Sequence, residues 1–160
     1  MGSATGKRLF LSWAHTDRAA KDALVGPLTD NLRILRGVRF TWWEDSHLLI
    51  GDQWRRALLA RLAACDYGVL LLSPAFFASD FIRAHELPRF VGEGADKGAL
   101  PVGLERFPLD GSRELHGVDR HQIFTAPGSG KFFTQTRGHA GRQFAQDLAT
   151  AIRNRVVADR

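Results

Sequence analysis

Tyr67-Gly68-Val69-Leu70-Leu71-Leu72, followed at once by Ser73-Pro74, is the stretch that decides the fold. It is a continuous apolar run between turn signals. A strand with one wet face alternates apolar and polar residues, whereas one covered on both faces reads as an unbroken apolar run. Such a strand belongs at the centre of a parallel sheet. Ser73-Pro74 then starts a helix, with Ser as the cap and Pro at the first helical position.

Working outward, Arg8 to Trp13 reads as a short strand in which Leu9 and Leu11 alternate with Phe10 and Ser12. Asp17 is placed to cap a helix with Ala20, Leu24, Leu28, Leu32 and Leu35 at helical spacing, and Gly26-Pro27 predicts a kink or break within it. Val38 to Trp42 is a second strand and Trp43 to Gly51 a loop. Asp52 caps a helix that aligns Trp54, Leu58, Leu62 and Cys65 on one face. Beyond the central strand, Ser79-Asp80 starts another helix, which Pro88 should end or bend near Leu87. Leu100 to Leu104 is a fourth strand, Arg106 to Asp119 a polar loop, and Gln122 to Thr125 a short fifth strand. After a loop from Gly128 to Gly138, Arg142 to Val157 closes the chain as a helix with Phe144, Leu148, Ile152 and Val156 aligned. Strands alternating with helices give an α/β fold, a parallel sheet with right-handed crossovers and helices on both faces.

The 160 residues suit one domain, and 44% hydrophobic with 24% charged residues is ordinary globular usage. No run approaches the roughly 20 apolar residues of a membrane helix, and Met1 to Gly6 shows no signal-peptide core. A soluble cytoplasmic domain with no membrane partner is expected. One cysteine, Cys65, makes neither an internal disulfide nor a multi-cysteine zinc site. The net charge is +5, and 18 of the 22 basic residues are arginine. The surplus lies after Glu105, spread among Gly and polar residues as a solvated surface. Nothing sharpens it into a nucleic-acid partner, since helix-turn-helix spacing, zinc fingers and RNA-binding aromatics are all missing.

Other signals dissolve on counting. Gly128-Ser129-Gly130-Lys131 lacks the first glycine and the final Ser/Thr of a phosphate loop, because Thr125 and Phe132 stand there. His85-Glu86 does not open a zinc-protease motif, because position 89 is Arg. Gly92-Glu93-Gly94 lacks the third glycine of a dinucleotide fingerprint. The histidines show no ligand spacing, and no serine sits in a nucleophile elbow. A metal site is not expected.

Three stretches resemble, in order and spacing, the TIR (Toll/interleukin-1 receptor) domain family, especially its bacterial members. Leu9-Phe10-Leu11-Ser12-Trp13-Ala14-His15-Thr16-Asp17 is similar to the family's first strand and following loop. Trp43-Glu44-Asp45 through Leu49-Ile50-Gly51-Asp52-Gln53-Trp54 is similar to its BB loop, between second strand and second helix. Leu70-Leu71-Leu72-Ser73-Pro74, with Ser79, Phe81 and Glu86-Leu87, resembles the third strand and the helix that carries the family's key glutamate. Leu100-Pro101-Val102 fits the fourth strand. The resemblance implies a flavodoxin-like open sheet of five parallel strands, spanning residues 7–157 after a disordered tail of residues 1–6. It also implies one of two functions. Many such domains cleave NAD⁺ at the bond between nicotinamide and ribose, releasing ADP-ribose or a cyclic form of it. Others are non-catalytic adaptors that signal by assembling.

The chemistry needs only one carboxylate. A glycosidase ordinarily uses two, one to protonate the leaving oxygen. In NAD⁺ the leaving group is a pyridinium that departs as neutral nicotinamide, so no general acid is required. A single carboxylate near the ribose can offset the charge of the oxocarbenium ion. By resemblance that group is Glu86; most helix glutamates are merely solvated. Substrate-binding candidates are Trp13, His15, Asp45, Trp54 and Phe81. Trp54 either completes the pocket or packs on its own helix. Trp13 takes the usual tyrosine position at the end of the first strand, as pocket wall or buried strand-end ring. His15 lies in the loop beyond, and Asp45 shapes its own loop. Many catalytic members carry an aromatic four residues before the glutamate; here Ile82 stands there, with Phe81 beside it. NAD⁺ enters as substrate, and no bound cofactor or metal is implied. Trp43, Leu48, Leu49, Ile50 and Gly51 form a candidate assembly loop, whose apolar residues would be covered by a neighbouring copy. Of Trp42 and Trp43, one ring should enter the core and the other be exposed. The implied setting is the effector arm of a bacterial immune system, filament-forming, with a fused or separate sensor.

Overall fold

The computed structural model describes residues 5–44 and 53–159. Among them, β1 (Thr5–Ser12), β2 (Val38–Glu44), β3 (Tyr67–Leu72) and β4 (Gly98–Gly103) form one sheet in the order β2-β1-β3-β4. Every pairing is parallel, with Leu9 opposite both Trp42 and Tyr67, and Val69 opposite Leu100. The apolar run at Tyr67 to Leu72 is an inner strand, buried at all six positions.

Period-two alternation divides the inner strands between two cores. Leu9 and Leu11 of β1, with Val69 and Leu71 of β3, pack beneath α1 (Arg18–Arg33) and α4 (His139–Ala158). Phe10, Leu70 and Leu72 face the other way, toward α2 (Gln53–Ala64), α3 (Pro74–Ala78) and the segment after it. The apolar stripes Leu24-Leu28-Leu32 and Phe144-Leu148-Ile152-Val156 fill the first core, and Leu58-Leu62-Cys65 the second. Each fully buried leucine contributes roughly 1.5–3 kcal/mol, so both faces of the sheet are strongly specified. Gly68 lets Phe90 reach β3: a Cβ there would stand 2.5 Å from the ring, which also stacks on Phe10.

Several expectations change. The strand β1 begins at Thr5, so Thr5 and Gly6 pair with Val38 and Arg39 instead of belonging to a disordered tail; residues 1–4 lie outside the described region. Helix α1 passes through Pro27 without a break. The carbonyl that Pro27 cannot serve belongs to Ala23, on the exposed face, where water can bond it. Asp17 makes no capping bond to α1, because its carboxylate accepts the hydroxyl of Ser73 instead. Trp43 lies within β2, which runs on to Glu44, and does not open a loop. Trp42 and Trp43 are both half-buried, packed against opposite cores as neighbours on a strand must be. The fifth strand shrinks to a single parallel bridge, Val102 to Phe124. Its ladder stops there because the next amide, at Ala126, donates to Lys131 across a turn containing Pro127 and Gly128. The polar loop from Arg106 to Asp119 is anchored by buried Phe107, Leu115 and Val118. No helix among the described residues is long and apolar enough to cross a membrane.

Candidate active site

The connections from β1 and β3 leave toward opposite faces of the sheet. Between their carboxyl ends lies a topological switch point, where open parallel sheets bind ligands. Each of these two ends holds a carboxylate that belongs to the other strand's connection. Ser12, the last residue of β1, donates its hydroxyl to Oε1 of Glu86 at 2.6 Å. Ser73, directly after β3, donates to Asp17 while its oxygen accepts the Phe76 amide that starts α3. The chains leaving the two strands are therefore cross-braced at the crevice.

Glu86 reaches that position through an irregular helix. The Ser79 hydroxyl accepts the Ile82 amide at 3.2 Å, and Ile82–Glu86 then forms a π-helical turn in which the Leu87 amide bonds to the Ile82 carbonyl. Pro88 cannot donate to Ala84 and crowds its carbonyl, so the chain leaves α geometry here. A 3₁₀ turn, Leu87–Arg89, follows. Single π turns recur at functional sites because they re-aim one side chain. Here the result is a carboxylate with 0% exposure. A buried polar group demands partners, and the Ser12 hydroxyl is one.

A cleft of about 510 Å³ is walled by Trp13 and His15 from one connection and Phe81 and Ile82 from the other; Glu86 does not line it, and is linked to it through Ile82 in its own turn and through Ser12, next to Trp13. Trp13 is buried under it, with the Lys21 ammonium 4.5 Å and the Arg18 guanidinium 5.1 Å from its ring centre. Lys21 is itself buried, pairs with Asp22 at 2.7 Å, and by that hydrogen bond holds the Asp22 carboxyl below the usual range. The Trp13 indole N–H has no acceptor among the described residues. His15 is exposed at the cleft, 5.0 Å from the Trp13 ring. Phe81 meets Trp54 at 5.5 Å and His85 at 4.9 Å, and Trp54 meets His85 edge-on at 5.7 Å. Trp54 thus backs the wall and packs on the second core without lining the cleft.

Of the residues anticipated, Trp13, His15 and Phe81 come together around one opening, whereas Glu86 is buried in the interior and does not line it. Asp45, Leu48, Leu49, Ile50 and Gly51 lie outside the described residues. Trp43 is a strand residue with the Arg8 guanidinium 5.5 Å over its ring. The sequence marks Ser12 only as a strand residue and His85 only as the start of a zinc motif that fails, and it does not mark Lys21.

Other chemistries fit less well. The described residues hold no group of three His, Cys, Asp or Glu placed for a metal ion. Burial pushes the Cys65 thiol up to about 11, which leaves it a poor nucleophile. A cleft of about 240 Å³ between β4 and α4 offers one charged group, Arg155, already bonded to the Ala99 carbonyl and to Asp159.

The TIR domain family matches residues 9–131. A curated relative named NAD(+) hydrolase TcpA, from Theionarchaea archaeon (strain DG-70-1), is 29% identical over 117 residues, covering 72% of this chain. The chain spans only 30% of that relative's length. No solved structure matches. With the family match running from β1 past β4, and the parallel sheet and switch-point crevice in place, the chain belongs to the TIR domain family.

Proposed function

We propose that this domain cleaves NAD⁺ between nicotinamide and ribose, with Glu86 as the carboxylate that meets the ribose. One observation carries the reading: a buried, hydroxyl-braced carboxylate at the switch point, linked through Ile82 to a cleft walled by Trp13 and Phe81. The name of the relative, NAD(+) hydrolase, points the same way. In the reaction the C1′–N bond breaks and its electron pair passes to the pyridinium nitrogen, so nicotinamide leaves neutral. Glu86 offsets the positive charge left on the ribose. Water then adds at C1′ and loses a proton, giving ADP-ribose; attack by a nitrogen of the adenine would give a cyclic product instead. The aromatic walls hold the flat rings of the dinucleotide.

Because Glu86 has no exposed surface, contact with the ribose requires the residues that cover it to move. Assembly supplies that step in our reading: the apolar sequence Leu48-Leu49-Ile50-Gly51 beyond β2 docks on a neighbouring copy, head to tail, and builds filaments. A fused or separate sensor triggers assembly, and NAD⁺ loss in the cytoplasm is the output of a bacterial immune effector. Glu86→Gln tests the core of this. The side chain is nearly isosteric, and its amide oxygen still accepts from Ser12, so the melting temperature should change little while NAD⁺ turnover disappears. A Gln variant turning over near the wild-type rate overturns the assignment.

The full burial of Glu86 favours a second reading, a non-catalytic adaptor that acts only through TIR–TIR contacts. In that case wild-type protein assembles yet leaves NAD⁺ intact at every concentration.

A further inference from the structure

We propose that Ser12 is a positioning residue for the reaction, setting the orientation of Glu86 through its hydroxyl; this rests on Glu86 being the catalytic carboxylate. The two side chains are 74 positions apart in the chain, both fully buried, and 2.6 Å from oxygen to oxygen. That is the distance of a direct O–H···O hydrogen bond.

The terminal torsion of a glutamate is broad and nearly two-fold, so an unheld carboxylate samples many orientations. Bonding one oxygen to a fixed donor removes that freedom. Ser12 is such a donor because it sits on an inner strand, opposite Leu70 of β3 and with Phe10 and Leu11 buried before it. Glu86 itself hangs from a π-helical turn between two serine- and proline-marked breaks, the less regular of the two supports. The strand therefore supplies the reference, and the turn supplies the carboxylate. The Asp17–Ser73 bond ties the opposite connection to the same crevice, which keeps the ends of β1 and β3 from sliding apart.

A carboxylate that acts on a developing charge is worth most when its orientation is settled beforehand. Removing the hydroxyl should thus weaken the transition state more than the substrate complex. The test compares wild type, Ser12→Ala, Ser12→Thr and Glu86→Gln in full-length chain with NAD⁺ as the probe, after thermal melts establish folding. We expect Ser12→Ala to lower kcat about 10–100-fold while KM for NAD⁺ stays within about 3-fold. Ser12→Thr, which keeps the hydroxyl, should recover most of kcat. If its extra methyl unfolds the domain, the kcat-against-KM split of Ser12→Ala alone decides. A Ser12→Ala enzyme with wild-type kcat, or with a loss confined to KM or to stability, overturns the inference while Glu86→Gln remains inactive. An active Glu86→Gln instead overturns the assignment of Glu86, and this inference with it.

Discussion

Replacing Gly68 with alanine tests the packing that stands behind Glu86. The new Cβ would lie 2.5 Å from Cε1 of Phe90 and 2.6 Å from Cδ1. Relaxed carbon contacts need about 3.5–4.0 Å, so ring or strand must retreat by roughly 1 Å. The ring has little room, being 1% exposed and stacked on Phe10 at 6.0 Å. The strand has less, because Gly68 is paired with Phe10 on one side and Ala99 on the other. Overpacking of this kind costs about 1–3 kcal/mol, while stiffening the unfolded chain returns about 0.4–1 kcal/mol. A contact as short as 2.5 Å takes the upper half of the overpacking range, about 2–3 kcal/mol, so the net expectation is a loss of about 1–2.5 kcal/mol, or roughly 2–10 °C in Tm for a domain of this size. Urea unfolding should show a lower midpoint with an unchanged slope. Phe90 follows Glu86 by one turn, so NAD⁺ turnover should fall as well. Adding Phe90→Leu should relieve the clash, making the double variant more stable than the two single effects summed. A Gly68→Ala protein as stable as wild type, or strict additivity in the double variant, would refute the argument.

Trp54→Ala should lose both stability and turnover, since the ring backs Phe81 and packs on the second core; Trp54→Phe should keep most of the stability, and full activity in it would reduce Trp54 to packing. Specific activity should climb steeply with protein concentration, and Leu49→Glu should abolish that rise without lowering the melting temperature; a flat profile in monomeric wild type would show that one chain completes the site. Tyr67, the single tyrosine, donates to Asp159 at 2.8 Å, and burial with that bond pushes its phenol up to about 12 from 10.0. The folded state then holds the proton more tightly than the unfolded chain, so this stabilisation is complete below pH 10 and lost as pH rises through about 12. Tyr67→Phe should flatten the dependence of the urea midpoint on pH in that window, and an unchanged slope would contradict it.

What could be read in advance was whatever short-range pattern carries. The run at Tyr67 to Leu72 announced an inner strand because burial on both faces leaves no polar position. The Ser73 cap and the closing-helix stripe were local in the same way. What escaped depends on partners far along the chain. Asp17 looked like a helix cap, yet its partner is 56 positions on, at Ser73. Glu86 could be picked out by motif order, but not its burial, which Ser12 and the turn at Pro88 create together. The fifth strand had the composition of one, but a turn took its next amide.

The π-helical turn has a consequence for how this site can change over generations. Such a turn encloses one residue more than an α turn, and Arg83 and Ala84 within it are exposed. Deleting either would let the helix close into ordinary geometry at little cost to the core. Everything beyond would keep its place, because the shortened turn still joins the Leu87 amide to the Ile82 carbonyl; only side chains inside the turn, Glu86 among them, would be re-aimed. Glu86 would still be present in the chain, yet swung away from Ser12. A gain or loss of one codon here would thus undo the Ser12–Glu86 contact while both side chains are retained. Residue identity alone is therefore a poor guide to activity among homologues of this domain; the spacing from Ser79 to Glu86 must be read with it.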